Sequence, residues 1–107
     1  LEELQCDENK LTALNISGCT AMKSINCRDN QLTSLNVTEC TALNYLYCER
    51  NQLTEINASG CASLYQLRCE VNQLTVLNVT GCASMSQLTC YNNQLTELVT
   101  TGCSKLN

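Results

Sequence analysis

Ten cysteines and no histidine define the chemistry open to this 107-residue chain. Cys6, Cys27, Cys48, Cys69 and Cys90 form one series with a period of 21, the step from Cys6 to Cys27, and Cys19, Cys40, Cys61, Cys82 and Cys103 form a second. Three chemistries suit cysteine at this density: disulfides, metal binding and buried thiols. Zinc and iron–sulfur sites need close pairs such as C-x-x-C. Here the spacings alternate between 13 (Cys6 to Cys19) and 8 (Cys19 to Cys27), with no His to complete a ligand set, so no metal or cofactor is expected. A short secreted chain with about 8–10% Cys invites a disulfide framework. Yet a series recurring once per repeat brings its Cβ atoms to the strand spacing of about 4.8 Å, wider than the roughly 3.8 Å that a disulfide prefers. Five members also cannot pair completely among themselves. The Cys6 series is therefore read as free thiols acting as small buried hydrophobes. The Cys19 series falls nearer a turn and leaves oxidation more open.

Nothing else in the chain resembles a catalytic set. No Ser or Cys has a His to activate it. The columns Asp7, Arg28, Glu49, Glu70 and Glu8, Asp29, Arg50 interleave opposite charges and read as a solvated edge with weak ion pairs. Glu49 and Glu70 could attract Ca²⁺, but no Asp-rich loop supplies the roughly six oxygens it takes. As a carboxylate pair on a convex edge they lack a cleft. An enzyme is not expected.

The elements that position these residues follow from the repeat, which overrides element-by-element reading. Asn9, Asn30, Asn51, Asn72 and Asn93 share the period. Counted from Leu1, the coil reads L-x-x-L-x-C-x-x-N-x-L-T-x-L-N-V-[ST]-G-C-x-x. Apolar residues fill coil positions 1, 4, 6, 11, 14, 16 and 19 in every coil, Thr100 excepted. Positions 4–6 and 14–16 alternate apolar–polar–apolar, the signature of short half-buried strands such as Leu46-Tyr47-Cys48. No stretch supports a stable helix. One coil cannot enclose its own apolar side chains, so coils must stack. The expectation is a solenoid of five stacked 21-residue coils, mostly short parallel β-strands and turns: residues 1–21, 22–42, 43–63, 64–84 and 85–105, with a sixth opening at 106–107.

The segment Leu43-Asn44-Tyr45-Leu46-Tyr47-Cys48-Glu49-Arg50-Asn51-Gln52-Leu53 carries L-x-x-L-x-x-x-x-N-x-L, which resembles the leucine-rich-repeat signature. The period, the Cys at coil position 6 and the following L-T-x-L-N-V-[ST] are similar to the cysteine-ladder repeats of internalin J and to the IRREKO-type bacterial repeats, along the whole chain. The sequence departs from them in having Asn15 and Asn36 where Asp is usual, and in its second Cys series. The resemblance implies a leucine-rich-repeat solenoid coiled as a right-handed superhelix, and a bacterial protein, secreted or at the cell surface, used in adhesion.

Each polar column has a structural role to weigh. The Asn9, Asn30, Asn51, Asn72 and Asn93 column falls where the chain leaves a strand, and a buried Asn there satisfies backbone groups that the turn leaves unpaired. Gly18, Gly60, Gly81 and Gly102 mark a corner where a left-handed backbone is easiest for Gly. Glu39 at the same place implies that a positive φ is not obligatory there. The N-x-[ST] sequons at Asn15, Asn36, Asn57 and Asn78 follow from the repeat without invoking glycans.

Variable residues between fixed apolar slots face outward and carry specificity. On the first strand of each coil, Tyr45 and Tyr47 neighbour one another, Arg68 lies beside Tyr47, and Tyr65, Gln66 and Asn26 flank them. Tyr and Arg are common interface anchors, so this face is the expected docking site for a protein or glycan ligand. Two alternatives stand beside a binding scaffold: a structural spacer in a longer surface array, and an ice-binding solenoid using the Thr12, Thr33, Thr54, Thr75 and Thr96 column, although Glu55 and Glu97 roughen that face.

Composition narrows the partners. Six basic and ten acidic residues give a net charge of −4 with no basic cluster, against nucleic acid. No apolar run approaches membrane-spanning length, and Leu1–Lys10 is too polar for a signal peptide. Without recognisable polar caps, the chain reads as an excised fragment prone to end-to-end self-association.

Overall fold

The computed structural model describes residues 1–106; Asn107, the second residue of the expected sixth coil, lies outside the described residues. The chain is a parallel β-solenoid of about five coils, with no helix among those residues. The strands are β1 (Glu3–Gln5), β2 (Ala13–Asn15), β3 (Ser24–Asn26), β4 (Ser34–Asn36), β5 (Tyr45–Tyr47), β6 (Gln66–Arg68), β7 (Val76–Asn78), β8 (Gln87–Thr89) and β9 (Glu97–Val99). Each begins one residue before the expected triplet, because the alternation marks side-chain direction rather than the limits of pairing.

The first strands of the coils join in one five-stranded parallel sheet, in the order β1-β3-β5-β6-β8. Its register advances by one repeat per step, pairing Leu4 with Ile25, Ile25 with Leu46, Leu46 with Leu67 and Leu67 with Leu88. The second face is less regular. It consists of two two-stranded sheets, β2-β4 and β7-β9, joined only by bridges from Asn36 to Asn57 and from Asn57 to Asn78. The strand expected at Ile56-Asn57-Ala58 does not form.

The core lies between these faces and repeats the seven apolar slots of the coil. Met22, Ile25, Leu43, Leu46, Leu64, Leu67, Leu77 and Met85 are buried, and Leu4, Leu14, Leu88 and Leu95 of the end coils are partly so. Removing this aliphatic surface from water is the main stabilising contribution, at about 25 cal/mol per Å². With no Phe or Trp in the chain, buried thiols such as Cys27, Cys48 and Cys69 complete the aliphatic core.

Asparagine closes the turn after the first sheet. The Asn51 Nδ2 donates to the carbonyls of Cys27, Cys48 and Glu49 at 3.1, 3.0 and 3.3 Å, while its Oδ1 accepts from the Leu32 amide at 3.0 Å. Asn30 and Asn72 repeat the pattern, each tying two coils together. This satisfies backbone groups that a buried turn would otherwise orphan. The sequon asparagines serve another turn: the Oδ1 of Asn15, Asn36, Asn57 and Asn78 accepts from the amide two residues on.

Two columns adopt left-handed backbone. At coil position 8, Glu8, Asp29, Arg50, Val71 and Asn92 all have φ of 53–57°, although none is Gly. At position 18 the glycines have φ of 74–85°, and Glu39 follows them with φ 61°. The expectation that Glu39 relaxes this requirement is thus corrected: the corner imposes a positive φ on whatever residue occupies it.

Candidate binding surface

The outward residues of the first sheet form two rows across the coils. Ser24, Tyr45 and Gln66 are register partners in one row, and Asn26, Tyr47 and Arg68 in the other. Period-two alternation turns Leu46 and Leu67 into the core and leaves these side chains on the opposite face. Tyr45 lies 6.3 Å from Tyr47 and 6.1 Å from Tyr65, the latter nearly edge-to-face at 74°. Such geometry suits the ring quadrupoles. Tyr45 and Tyr65 remain 40% and 42% exposed.

The polar members of the cluster are already held. The Tyr47 hydroxyl donates to Gln66 Oε1 at 2.8 Å, and Asn26 Nδ2 donates to Gln5 Oε1 at 3.2 Å. Arg68 directs Nε and Nη2 onto Glu70 Oε1 at 3.2 and 2.7 Å, and its Nη1 lies 3.9 Å from Glu49 Oε1. The paired carboxylate raises the Arg68 pKa. Of the six residues expected to dock a partner, the three tyrosines thus form a contiguous patch, Gln66 supports it by accepting from Tyr47, Asn26 bonds Gln5 of the first coil instead, and Arg68 is engaged as a counter-ion.

That engagement corrects the reading of Glu49 and Glu70 as a solvated edge. Both are 1% exposed, and the Oε2 of each makes no hydrogen bond. Sequence pattern missed this because position 7 follows an inward Cys and alternation directs it outward, with no sign that Arg68 of the sheet would lie against both carboxylates. The neighbouring pair behaves as expected of an edge: Arg50 grips Asp29 with Nε and Nη2, the latter at 2.8 Å, which lowers the Asp29 pKa. At 1% exposure neither glutamate is open to a substrate.

The thiols are unbridged. In the position-6 column, Cys48 and Cys69 donate to the Arg68 and Thr89 carbonyls at 3.4 Å. In the position-19 column, Cys40, Cys61 and Cys103 donate to the Ile16, Val37 and Val79 carbonyls of the preceding coil at 3.0, 3.1 and 3.2 Å. Burial pushes the thiols of Cys27 and Cys61 up to about 12 and that of Cys82 up to about 11, and raises Cys48 and Cys69 as well. Thiols so shifted are poor nucleophiles at neutral pH, since the thiolate is the reactive form. Among the described residues, no group of three or more His, Cys, Asp or Glu is placed to hold a metal ion, and no helix is long and apolar enough to cross a membrane.

Beside the tyrosines opens a shallow cleft lined by Asn44, Tyr45, Ser63, Tyr65, Ser84 and Lys105. It extends the patch beyond the strands into the loops that precede them. Tyr91, 58% exposed at position 7 of the fifth coil, is a further surface aromatic that strand alternation gave no reason to select. On the second face the threonine column is exposed in all five coils, but the Thr33 and Thr96 hydroxyls bend back to donate to the Thr12 and Thr75 carbonyls.

Compared with known proteins, the chain matches no protein-family model, no curated protein and no solved structure.

Proposed function

We propose that the chain is a non-enzymatic binding scaffold that docks a protein or glycan ligand on its first sheet, through Tyr45, Tyr47 and Tyr65. One observation carries the reading: three tyrosines from two adjacent coils gather on an open β-face, with centroids 6.1–6.3 Å apart and two of the rings about 40% exposed. Tyrosine supplies large contact area with few torsions to freeze, which makes it an effective anchor. The L-x-x-L-x-C-x-x-N-x-L coil supports assignment to the cysteine-ladder class of leucine-rich repeats. With that assignment go a bacterial source, a secreted or surface location and a role in adhesion.

The test is a binding screen of the chain against immobilised purified extracellular proteins and oligosaccharides, in parallel with a Tyr45→Ala/Tyr65→Ala variant. The expected result is at least one ligand whose affinity falls tenfold or more in the variant, about 1.4 kcal/mol. Ligands bound equally by both proteins, or none bound at all, would favour the spacer role instead. Arg68 is unsuitable for this test, because its removal strands two buried carboxylates. Ice binding by the threonine column draws less support, since two hydroxyls face the backbone and Glu55 and Glu97 interrupt the array.

A further inference from the structure

Hydrogen bonds between successive coils recur once per repeat, so each bond can be checked at every junction. On the second face the junction between the third and fourth coils lacks two backbone bonds, at coil positions 16 and 18, that the other three junctions possess. The position-12 amide donates to the preceding coil at Thr33 (to Thr12) and Thr96 (to Thr75), both 2.9 Å, and makes no such bond on either side of the third coil, at Thr54 or at Thr75. The position-16 amide donates to the following coil at Ile16 (2.9 Å), Val37 (3.4 Å) and Val79 (3.0 Å), whereas Ala58 makes no bond of that length and, among the described residues, the only pairing left on this face of the junction is the single bridge from Asn57 to Asn78. The position-18 amide does so at Gly18, Glu39 and Gly81, at 2.8, 3.0 and 3.1 Å, whereas Gly60 does not. The thiol column weakens at the same place: Cys82 lies 3.9 Å from the Ala58 carbonyl, against 3.0–3.2 Å for Cys40, Cys61 and Cys103.

The first sheet is intact at this junction. β5 pairs with β6 in full register, Cys48 donates its amide to Arg68 at 2.9 Å, and Asn72 joins both coils through Leu53 and Cys48. Packing accounts for the contrast. Position 16 is Ile16, Val37 and Val79 in coils one, two and four but Ala58 in the third, and position 14 is Leu in the other coils but Ile56 there. Ala58 offers less side chain to pack against its neighbours than the branched residues of the other coils, and clefts border the third coil on this face, one lined by Ile56, Asn57, Asn78 and Thr80 and one towards the second coil lined by Leu35 and Thr54.

We propose that the junction of the third and fourth coils is a built-in joint, at which the second face opens and closes while the continuous first sheet serves as its spine. Such a joint lets the solenoid change curvature without breaking the sheet that bears the tyrosines. Opening free energies vary across a fold, and segments poor in hydrogen bonds open first.

Amide hydrogen exchange by NMR tests this on the intact chain. The amides of Ala58 and Gly60 are expected to exchange at least tenfold faster than those of Val37, Glu39, Val79 and Gly81, while Cys48 and Cys69 stay protected. Equal protection of the two sets would overturn the joint. In an Ala58→Val variant, which restores the residue of the second and fourth coils, exchange at residue 58 and at Gly60 is expected to slow. If protection there stays unchanged, the packing origin is wrong.

Discussion

Asn51 is the residue on which the turn after the first sheet depends most visibly, with three donated bonds and one accepted. Asn51→Leu leaves those backbone groups unpaired in a buried site and is expected to cost about 1–3 kcal/mol, read as a lowered denaturant midpoint. An unchanged midpoint would show that the turn does not need its asparagine. The thiols add a pH dependence. An unfolded thiol titrates near 8.5, whereas Cys27 and Cys61 are pushed up to about 12 in the fold. A raised native pKa means that the unfolded chain releases its proton first as pH rises. Stability from these thiols is therefore complete below about pH 8.5 and falls from there towards pH 12, by about 1.4 kcal/mol per thiol per pH unit in between. Denaturant midpoints measured from pH 7 to 10.5 should decline above pH 8.5; a flat profile would contradict buried thiols. At this scale sequence reading was uneven. Apolar slots and asparagines were legible because each repeats five times, while the burial of Glu49 and Glu70 was not, because it goes with their shared ion pairing to Arg68, which occurs in one coil only.

The element that sequence propensity hides best is the left-handed turn at coil position 8. A charged, an amide and a β-branched residue all occupy it, so no glycine announces it. Val71, with φ 57°, is the most strained occupant, since branching at Cβ crowds a positive φ. Val71→Gly relieves a conformational cost of about 1–2 kcal/mol, partly offset by the entropy that Gly loses on folding. A net gain of up to about 1 kcal/mol in chemical denaturation is expected, and a loss would show that Val71 contributes packing that outweighs its backbone. Beside this turn, Arg68→Ala leaves Glu49 and Glu70 buried without a cation and is expected to cost about 2 kcal/mol. The strands of the first sheet were legible to within one residue, because alternation and pairing agree there. The missing strand at Ile56 was not, because Ile56-Asn57-Ala58 keeps the apolar–polar–apolar pattern and loses only volume.

For the whole molecule, a 21-residue period with seven apolar slots dictates the stacked parallel coils. What the period cannot convey is how evenly neighbouring coils pair, or which outward residues already have partners within the chain. The tyrosine patch was visible as a cluster, whereas the commitment of Arg68 to two carboxylates was not. The end coils leave Leu1 86% and Leu98 48% exposed, so the isolated 107-residue chain is expected to associate end to end as its concentration rises; light scattering showing a monomer at every concentration would oppose this. The most direct test of the central claim, that the repeats stack in register with their sulfurs inward, is alkylation of the native chain mapped by mass spectrometry. Cys27, Cys40, Cys48, Cys61, Cys69, Cys82 and Cys103 should resist modification, Cys6, Cys19 and Cys90 should react slowly, and all ten should react at once in denaturant. Labelling of Cys48 or Cys69 at the unfolded rate, or recovery of those sulfurs as disulfides, would contradict the stacked core.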